Sequence, residues 1–363
     1  MNTHSKVTQS AGQLGGSGTS RLEIARAAFG NMVRLSEPFP DRPPLWIEPV
    51  DPTIRRDLKA AMAWMADRKA AIEDALLVFG GIVWRGFPVD GPDAFADLMA
   101  PFTPFAKGYV AGVTERKVIK GKVMESTRTP ESFRILIHQE MSYLPNNPRL
   151  LAFYCHQPAV RGGQTVIADM RGLLEALPES LRRRFDLGAI YGRHFRNQET
   201  SDDRRADPRY GHPSWQYWFD SDDRAEISAQ LEERGITFEW LDDGSLRYWT
   251  TMAATVRHPA TGELLSFNQL YAQTPHRLCA GDAFIEMMTA AYGTDGQRPY
   301  FLNFADGSPF TEEDFMVVHA EMERRMVEFE WQAGDVMLLD NKLTGHGRTP
   351  FTGPRDVQVM LFE

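Results

Sequence analysis

Cysteine is nearly absent. Cys155 and Cys279 are the only two in 363 residues, so no disulfide framework can form, and neither sits in the tight Cys/His spacing of a zinc site. Both read as buried thiols. Long apolar runs are missing as well: no segment reaches the length needed to span a bilayer. The opening stretch MNTHSKVTQSAGQLGGSGTS also has no basic region followed by an apolar one, so a cytoplasmic protein is expected. Positive charge is not in surplus. With 40 Lys and Arg against 49 Asp and Glu, non-specific attraction to nucleic acid or to a membrane surface is not expected.

What remains is an ordinary globular composition, 42 % hydrophobic and 25 % charged, sufficient for a sizeable core. Residues 1–20 are small and polar and read as a flexible tail, leaving 21–363 as one domain. IRRDLKAAMAWMADRKAAIEDALL has helical spacing of apolar residues, VFGGIVWRGFPV reads as a buried strand, and DAFADLMAPF as another helix. From Phe133 to Met170, short apolar runs broken by Pro, Asn and Gly predict successive strands: FRILIHQEMSYL, RLLAFYCHQPA and GGQTVIADM. RGLLEALPESLRRRFD and TEEDFMVVHAEMERRMVEFEW predict helices. GDVMLLD, LTGHGRT and DVQVMLFE return to strands. The outline is mainly β with flanking helices, interrupted by an insertion at about 195–330. The insertion is expected to contribute to the pocket, and within it SWQYWFD reads equally as surface packing of aromatic side chains or as a lid or substrate wall.

His138 and Glu140 sit two apart in RILIHQEMSY, where a strand would turn both to one face. On composition alone about one His-x-acid pair is expected by chance, so the motif is weak by itself. A second pair, His319 and Glu321, falls in a predicted helix, where residues two apart diverge, and is assigned to a solvated helix surface. His156, beside Cys155, reads as a packed core histidine. A third ligand comes from His346 in DNKLTGHGRTPFTGPR. Two imidazoles and a carboxylate leave adjacent coordination positions open on Fe(II), although zinc hydrolases use the same ligand types, and a non-catalytic binding protein with structural histidines remains a third reading.

In these segments the chain resembles the TauD/TfdA family of Fe(II)- and 2-oxoglutarate-dependent dioxygenases, in particular its clavaminate synthase-like and SyrP-like branch. HQEMSY is similar to the branch's HxE motif, RGGQTVIADM to its Gly-Gly-x-Thr strand, and DNKLTGHGRTPFTGPR to its distal-His and cosubstrate-Arg segment. The resemblance covers roughly residues 75–363 and is weakest at 195–330. It implies a double-stranded β-helix (jelly roll), with His138, Glu140 and His346 as iron ligands. It further implies Thr165 and Arg355 as the seat of the distal carboxylate of 2-oxoglutarate, with O2 as the other cosubstrate. Glu125, Arg128, Asn268 and Arg348 are the candidate substrate contacts.

The implied reaction couples decarboxylation of 2-oxoglutarate to C–H oxidation, with hydroxylation as the default and desaturation, epoxidation or cyclisation as alternatives on the same site. Halogenation is disfavoured because the family's halogenases lack the carboxylate ligand that Glu140 provides here. Taurine is disfavoured too, since VQVMLFE lacks the arginine with which taurine-type members bind a sulfonate. The branch resemblance implies an amino-acid-derived substrate in specialised metabolism, free or carried on a peptidyl carrier protein. The oligomeric state is left open.

Overall fold

The computed structural model describes residues 20–106, 117–197, 214–292 and 298–363; all but the last residue of the expected tail lies outside them. Strands alternate strictly between two buried faces. Along Leu150–Gln157, residues Leu151, Phe153 and Cys155 join one core, whereas Ala152 and Tyr154 join another. Val336–Asp340 and Asp356–Phe362 repeat the alternation: Met337, Leu339, Val357, Val359 and Leu361 face the first core, and Val336, Leu338, Met360 and Phe362 the second. Side chains along a strand alternate with period two, so near-continuous apolar runs belong to a sheet covered on both sides.

That sheet has eight strands, in the spatial order Val33–Ser36, Leu45–Pro49, Gly81–Trp84, Val336–Asp340, Leu150–Gln157, Asp356–Phe362, Val123–Glu125 and Val118–Lys120. Its outer face is covered by the amino-terminal helices, including Leu58–Asp67 and Lys69–Phe79, which bury Trp64, Met65, Ile72 and Leu76. The long helix expected over this stretch is divided. Asp57 is extended (φ −112°, ψ 113°) and its carboxylate accepts from the Lys59 N–H, starting a new helix, and Arg68 (φ −103°, ψ 7°) separates that helix from the next.

The inner face meets a four-stranded sheet ordered Met326–Phe329, Thr165–Asp169, Thr344–Arg348 and Ile135–His138. Ile167, Val327 and Phe329 share a core with the larger sheet. This is the jelly-roll arrangement of two facing sheets; no hydrogen-bonded ladder closes them into a barrel among the described residues. A third sheet, Thr237–Trp240, Leu246–Met252, Ala189–Phe195 and Tyr300–Phe304, fills most of the expected insertion. It begins at Ala189, earlier than the expected boundary, and Met326–Phe329 already pairs with Thr165–Asp169. In SWQYWFD, Trp215 packs with Phe195, Ile227, Leu231 and Leu246, and no residue of that stretch lines the large cavity.

No described helix is long and apolar enough to cross a membrane.

Candidate active site

The antiparallel pairing of Thr344–Arg348 with Ile135–His138 sets His346 opposite His138, two residues 208 positions apart in sequence. Their rings lie 4.3 Å apart between centroids. The flanking glycines make the approach possible: a Cβ on Gly345 would meet Ile137 Cγ2 at 2.6 Å, and one on Gly347 would meet the Ile135 carbonyl oxygen at 2.4 Å. His346 is buried, packs against Phe153 at 5.2 Å, and brings its Nε2 to 3.7 Å from Glu140 Oε2. One ligand atom from each of His138, Glu140 and His346 falls within 4.8 Å of the others, a spacing that suits three donors around one divalent ion.

Glu140 reaches this cluster by a different route from the one expected. The strand ends at His138, and Glu140 occupies the following turn, where Met141 takes a left-handed conformation (φ 54°). Convergence therefore comes from the turn and not from strand alternation. Asn341 holds the turn: its side-chain oxygen accepts from the Glu140 N–H at 2.7 Å, and its amide donates to the carbonyls of Glu140 at 2.9 Å and Pro148 at 2.8 Å. Gln269 supports the same turn, donating to the Gln139 carbonyl at 2.7 Å and the Ser142 hydroxyl at 3.0 Å.

Asn341→Ala leaves buried backbone groups unsatisfied, and a stability loss of about 3 kcal/mol is expected by urea denaturation. Iron affinity should fall about 10–100-fold, the usual effect of removing a group that orients a ligand. Unchanged iron affinity beside the stability loss would reduce Asn341 to a fold element.

His138 Nδ1 lies 2.9 Å from the Leu136 carbonyl. A carbonyl oxygen only accepts, so this nitrogen carries the proton and Nε2 keeps its lone pair for a metal. Next to Asn341, Asp340 accepts from His258 Nε2–H at 3.1 Å, while His258 Nδ1 accepts from the N–H groups of Ala260 and Thr261. A hairpin of the insertion is thereby tied to the segment that carries Asn341.

The cluster opens into a cavity of about 370 Å³, which Thr165 and Arg355 also line. Arg355 donates from Nε to the Gly163 carbonyl at 3.0 Å and lies over the Phe351 ring at 5.6 Å. It makes no ion pair among the described residues. Burial pulls its guanidinium down to about 10, so it stays cationic at neutral pH. A cation partly withdrawn from water without a carboxylate costs free energy unless an anion joins it, and a five-carbon diacid is such an anion. Thr165 is buried and its hydroxyl accepts from the Trp331 indole N–H at 2.9 Å. With that acceptor position taken, its own O–H is available to donate to a carboxylate.

The four candidate substrate contacts separate. Arg348 lines the cavity, but its guanidinium donates to the carbonyls of Thr129, Pro130 and Phe133. It fastens the loop that forms the wall. Burial, then Arg355, lowers its guanidinium to about 10. Glu125 and Arg128 pair with each other at 2.8 Å, and neither lines the cavity. Asn268 also stays out of it, donating to the Ala254 carbonyl and Ser266 hydroxyl and accepting from the Leu270 N–H; it caps, and its neighbour Gln269 does the work at the site.

His319 is not on a solvated surface: it packs beside Tyr271, whose hydroxyl lies 2.7 Å from its Nδ1. His156 is exposed instead of buried. Cys155 is a buried free thiol, while Cys279 is half-buried and lines the cavity. Asn341, Gln269, Trp331 and His258 were not singled out from sequence, where each is an unremarkable polar or aromatic residue; the only available signal was the adjacency of Asn341 to the distal-histidine segment.

Comparison with known proteins agrees with this geometry. A profile described as "Taurine catabolism dioxygenase TauD, TfdA family" matches residues 44–238 and 296–361. The dapdiamide synthesis protein DdaC of Enterobacter agglomerans is 30% identical over 298 residues, covering 80% of this chain and 84% of that protein. A clavaminate synthase-like protein of Arabidopsis thaliana is 28% identical over 305 residues, covering 81% and 84%. Among solved structures, PvcB, an Fe, alpha-ketoglutarate dependent oxygenase from an isonitrile synthetic pathway, shares the fold with a TM-score of 0.50 at 14% identity, covering 92% of each chain. The donor set of two imidazoles and one carboxylate, beside the half-buried Arg355, fits Fe(II) and 2-oxoglutarate. The chain therefore belongs to the TauD/TfdA family and is an Fe(II)- and 2-oxoglutarate-dependent dioxygenase, not a zinc hydrolase or a non-catalytic binding protein.

Proposed function

We propose that this enzyme hydroxylates a C–H bond of an amino-acid-derived substrate in specialised metabolism. His138, Glu140 and His346 hold the iron, and Arg355 with Thr165 holds the distal carboxylate of 2-oxoglutarate. The observation that carries this reading is the convergence of three ligating side chains and the half-buried Arg355 on one cavity. Two relatives named for biosynthetic roles, in dapdiamide synthesis and in an isonitrile pathway, support the metabolic setting.

Bound iron and 2-oxoglutarate supply the oxidising chemistry, in which O2 is consumed and the oxo acid is converted to succinate and CO2. The protein's own part is positional. Leu136 fixes the His138 tautomer, Asn341 and Gln269 set the Glu140 turn, and Trp331 directs the Thr165 hydroxyl. Phe153, Phe133 and Phe284 give the cavity apolar walls, which favour an apolar substrate body over water and limit side reactions. Desaturation, epoxidation and cyclisation are other outcomes of the same site, separable by product mass. The reading includes a free substrate and one delivered on a peptidyl carrier protein. A cytoplasmic location agrees with the two free thiols.

Anaerobic addition of Fe(II) and 2-oxoglutarate should produce a weak visible charge-transfer band, and its absence from iron-loaded protein would overturn the reading. Succinate release across matched free and carrier-bound amino acids then decides the form of the substrate.

A further inference from the structure

One hairpin of the insertion reaches the segment beside the ligand cluster. Its strands, Thr255–Arg257 and Leu264–Ser266, pair antiparallel, and His258 opens the turn between them with its side chain 2 % exposed. Both ring nitrogens are committed. The N–H groups of Ala260 at 3.3 Å and Thr261 at 3.1 Å can only donate, so Nδ1 accepts them and the proton sits on Nε2, directed at Asp340 Oδ2 at 3.1 Å. Oδ1 of the same carboxylate accepts from the Lys342 N–H at 2.9 Å and the Leu343 N–H at 3.1 Å.

The Asp340 carboxylate thereby shapes a turn on which two ligand segments depend. Asn341, inside the turn, binds the N–H and the carbonyl of Glu140. The Lys342 carbonyl accepts from the Gln139 side-chain amide at 2.8 Å, and the chain then runs into Thr344–Arg348, which carries His346. The same hairpin leads on to Gln269, which donates to the Gln139 carbonyl. The insertion thus grips the Glu140 turn from two places. Without the imidazole, an oxygen of the buried Asp340 carboxylate loses a donor. Such a loss costs more than the bond itself contributed, rotation of the carboxylate towards another donor relieves it, and rotation loosens the turn that aims Asn341.

We infer that His258, which does not line the cavity, is a positioning residue for the metal centre: through Asp340 it holds Asn341, and through Asn341 the Glu140 carboxylate. This rests on the proposed ligand role of Glu140 and makes the insertion a determinant of metal affinity.

The test is equilibrium dialysis of the full-length protein against Co(II), a divalent ion that takes the same imidazole and carboxylate donors. His258→Ala should weaken Co(II) binding about tenfold or more, the usual effect of removing a group that orients a ligand. His258→Gln keeps an N–H for Asp340 and should recover most of that loss. In an Asn341→Ala background, His258→Ala should weaken binding no further, because both changes act through one side chain, whereas residues that merely stabilise the fold independently would add. Where circular dichroism shows that His258→Ala does not fold, Asp340→Asn replaces it: an oxygen remains for Lys342 and Leu343, but an amide N–H now meets the His258 N–H, so the same loss and the same non-additivity are expected. Parent-like Co(II) affinity in the variant tested, a Gln variant that binds as weakly as the Ala one, or full additivity with Asn341→Ala would each overturn the inference. Parent protein that takes up no Co(II) would sink the ligand site itself, and this inference with it; a binding parent beside indifferent variants sinks the inference alone.

Discussion

Arg355→Met is expected to weaken 2-oxoglutarate binding about a hundredfold or more while leaving the thermal stability of the cofactor-free protein unchanged or raised. The two effects have one cause. In the free protein, the Arg355 guanidinium is half-buried, has one backbone acceptor at Gly163, and makes no ion pair among the described residues. Burial lowers its pKa from the usual arginine value to about 10. A lowered pKa in a base means that the folded protein holds the charge less readily than the unfolded chain. Stability linked to this group is thus lowest below pH 10 and recovers as pH rises from about 10 towards the unfolded value.

Methionine fills a similar volume without the charge, so the penalty disappears. The ligand carboxylate, however, loses its charged partner and is left desolvated, a cost of about 2–5 kcal/mol. Equilibrium dialysis with 2-oxoglutarate and differential scanning calorimetry of the same samples measure both halves. A lowered melting temperature together with unchanged 2-oxoglutarate affinity would make Arg355 a structural residue and remove the anchor from the proposed site.

His346→Ala has the other large expected effect: loss of iron binding by more than the roughly 100-fold produced when only a supporting residue is removed. The imidazole is one of three ligating groups within 4.8 Å, and alanine offers no donor. Stability should change much less, by about 1 kcal/mol. The ring packs on Phe153 and His138 but borders a large cavity, so truncation enlarges an existing space instead of opening a void in a filled core, where losses of about 2–5 kcal/mol are usual for large side chains. Iron analysis after anaerobic gel filtration, the visible band with 2-oxoglutarate, and urea denaturation provide the three readouts. An iron-replete variant with an intact band would remove His346 from the proposed ligand set.

Several elements were legible in the residues because their patterns are local. Short apolar runs marked Leu150–Gln157, Thr165–Asp169, Val336–Asp340 and Asp356–Phe362, and acidic residues ahead of basic ones marked Glu312–Arg325. The division of the first long helical pattern was less visible, since Asp57 and Arg68 interrupt it without a glycine or proline. Family resemblance named His138, Glu140, His346, Thr165 and Arg355, and all five line one cavity. The candidate substrate contacts Glu125, Arg128 and Asn268 do not line it, and each finds a hydrogen-bonding or charged partner nearby.

The sequence by itself determined the strand-rich class, the apolar faces of those strands, and the chemistry of the side chains available for iron and 2-oxoglutarate, since these depend on composition and short-range periodicity. Only the tertiary structure decided how Glu140 arrives: a carboxylate in a turn, steered by Asn341 from 201 residues away. It also decided that Arg348 ties down a loop. Those outcomes depend on which distant backbones come into register and how much water is excluded between them, quantities that no local pattern encodes.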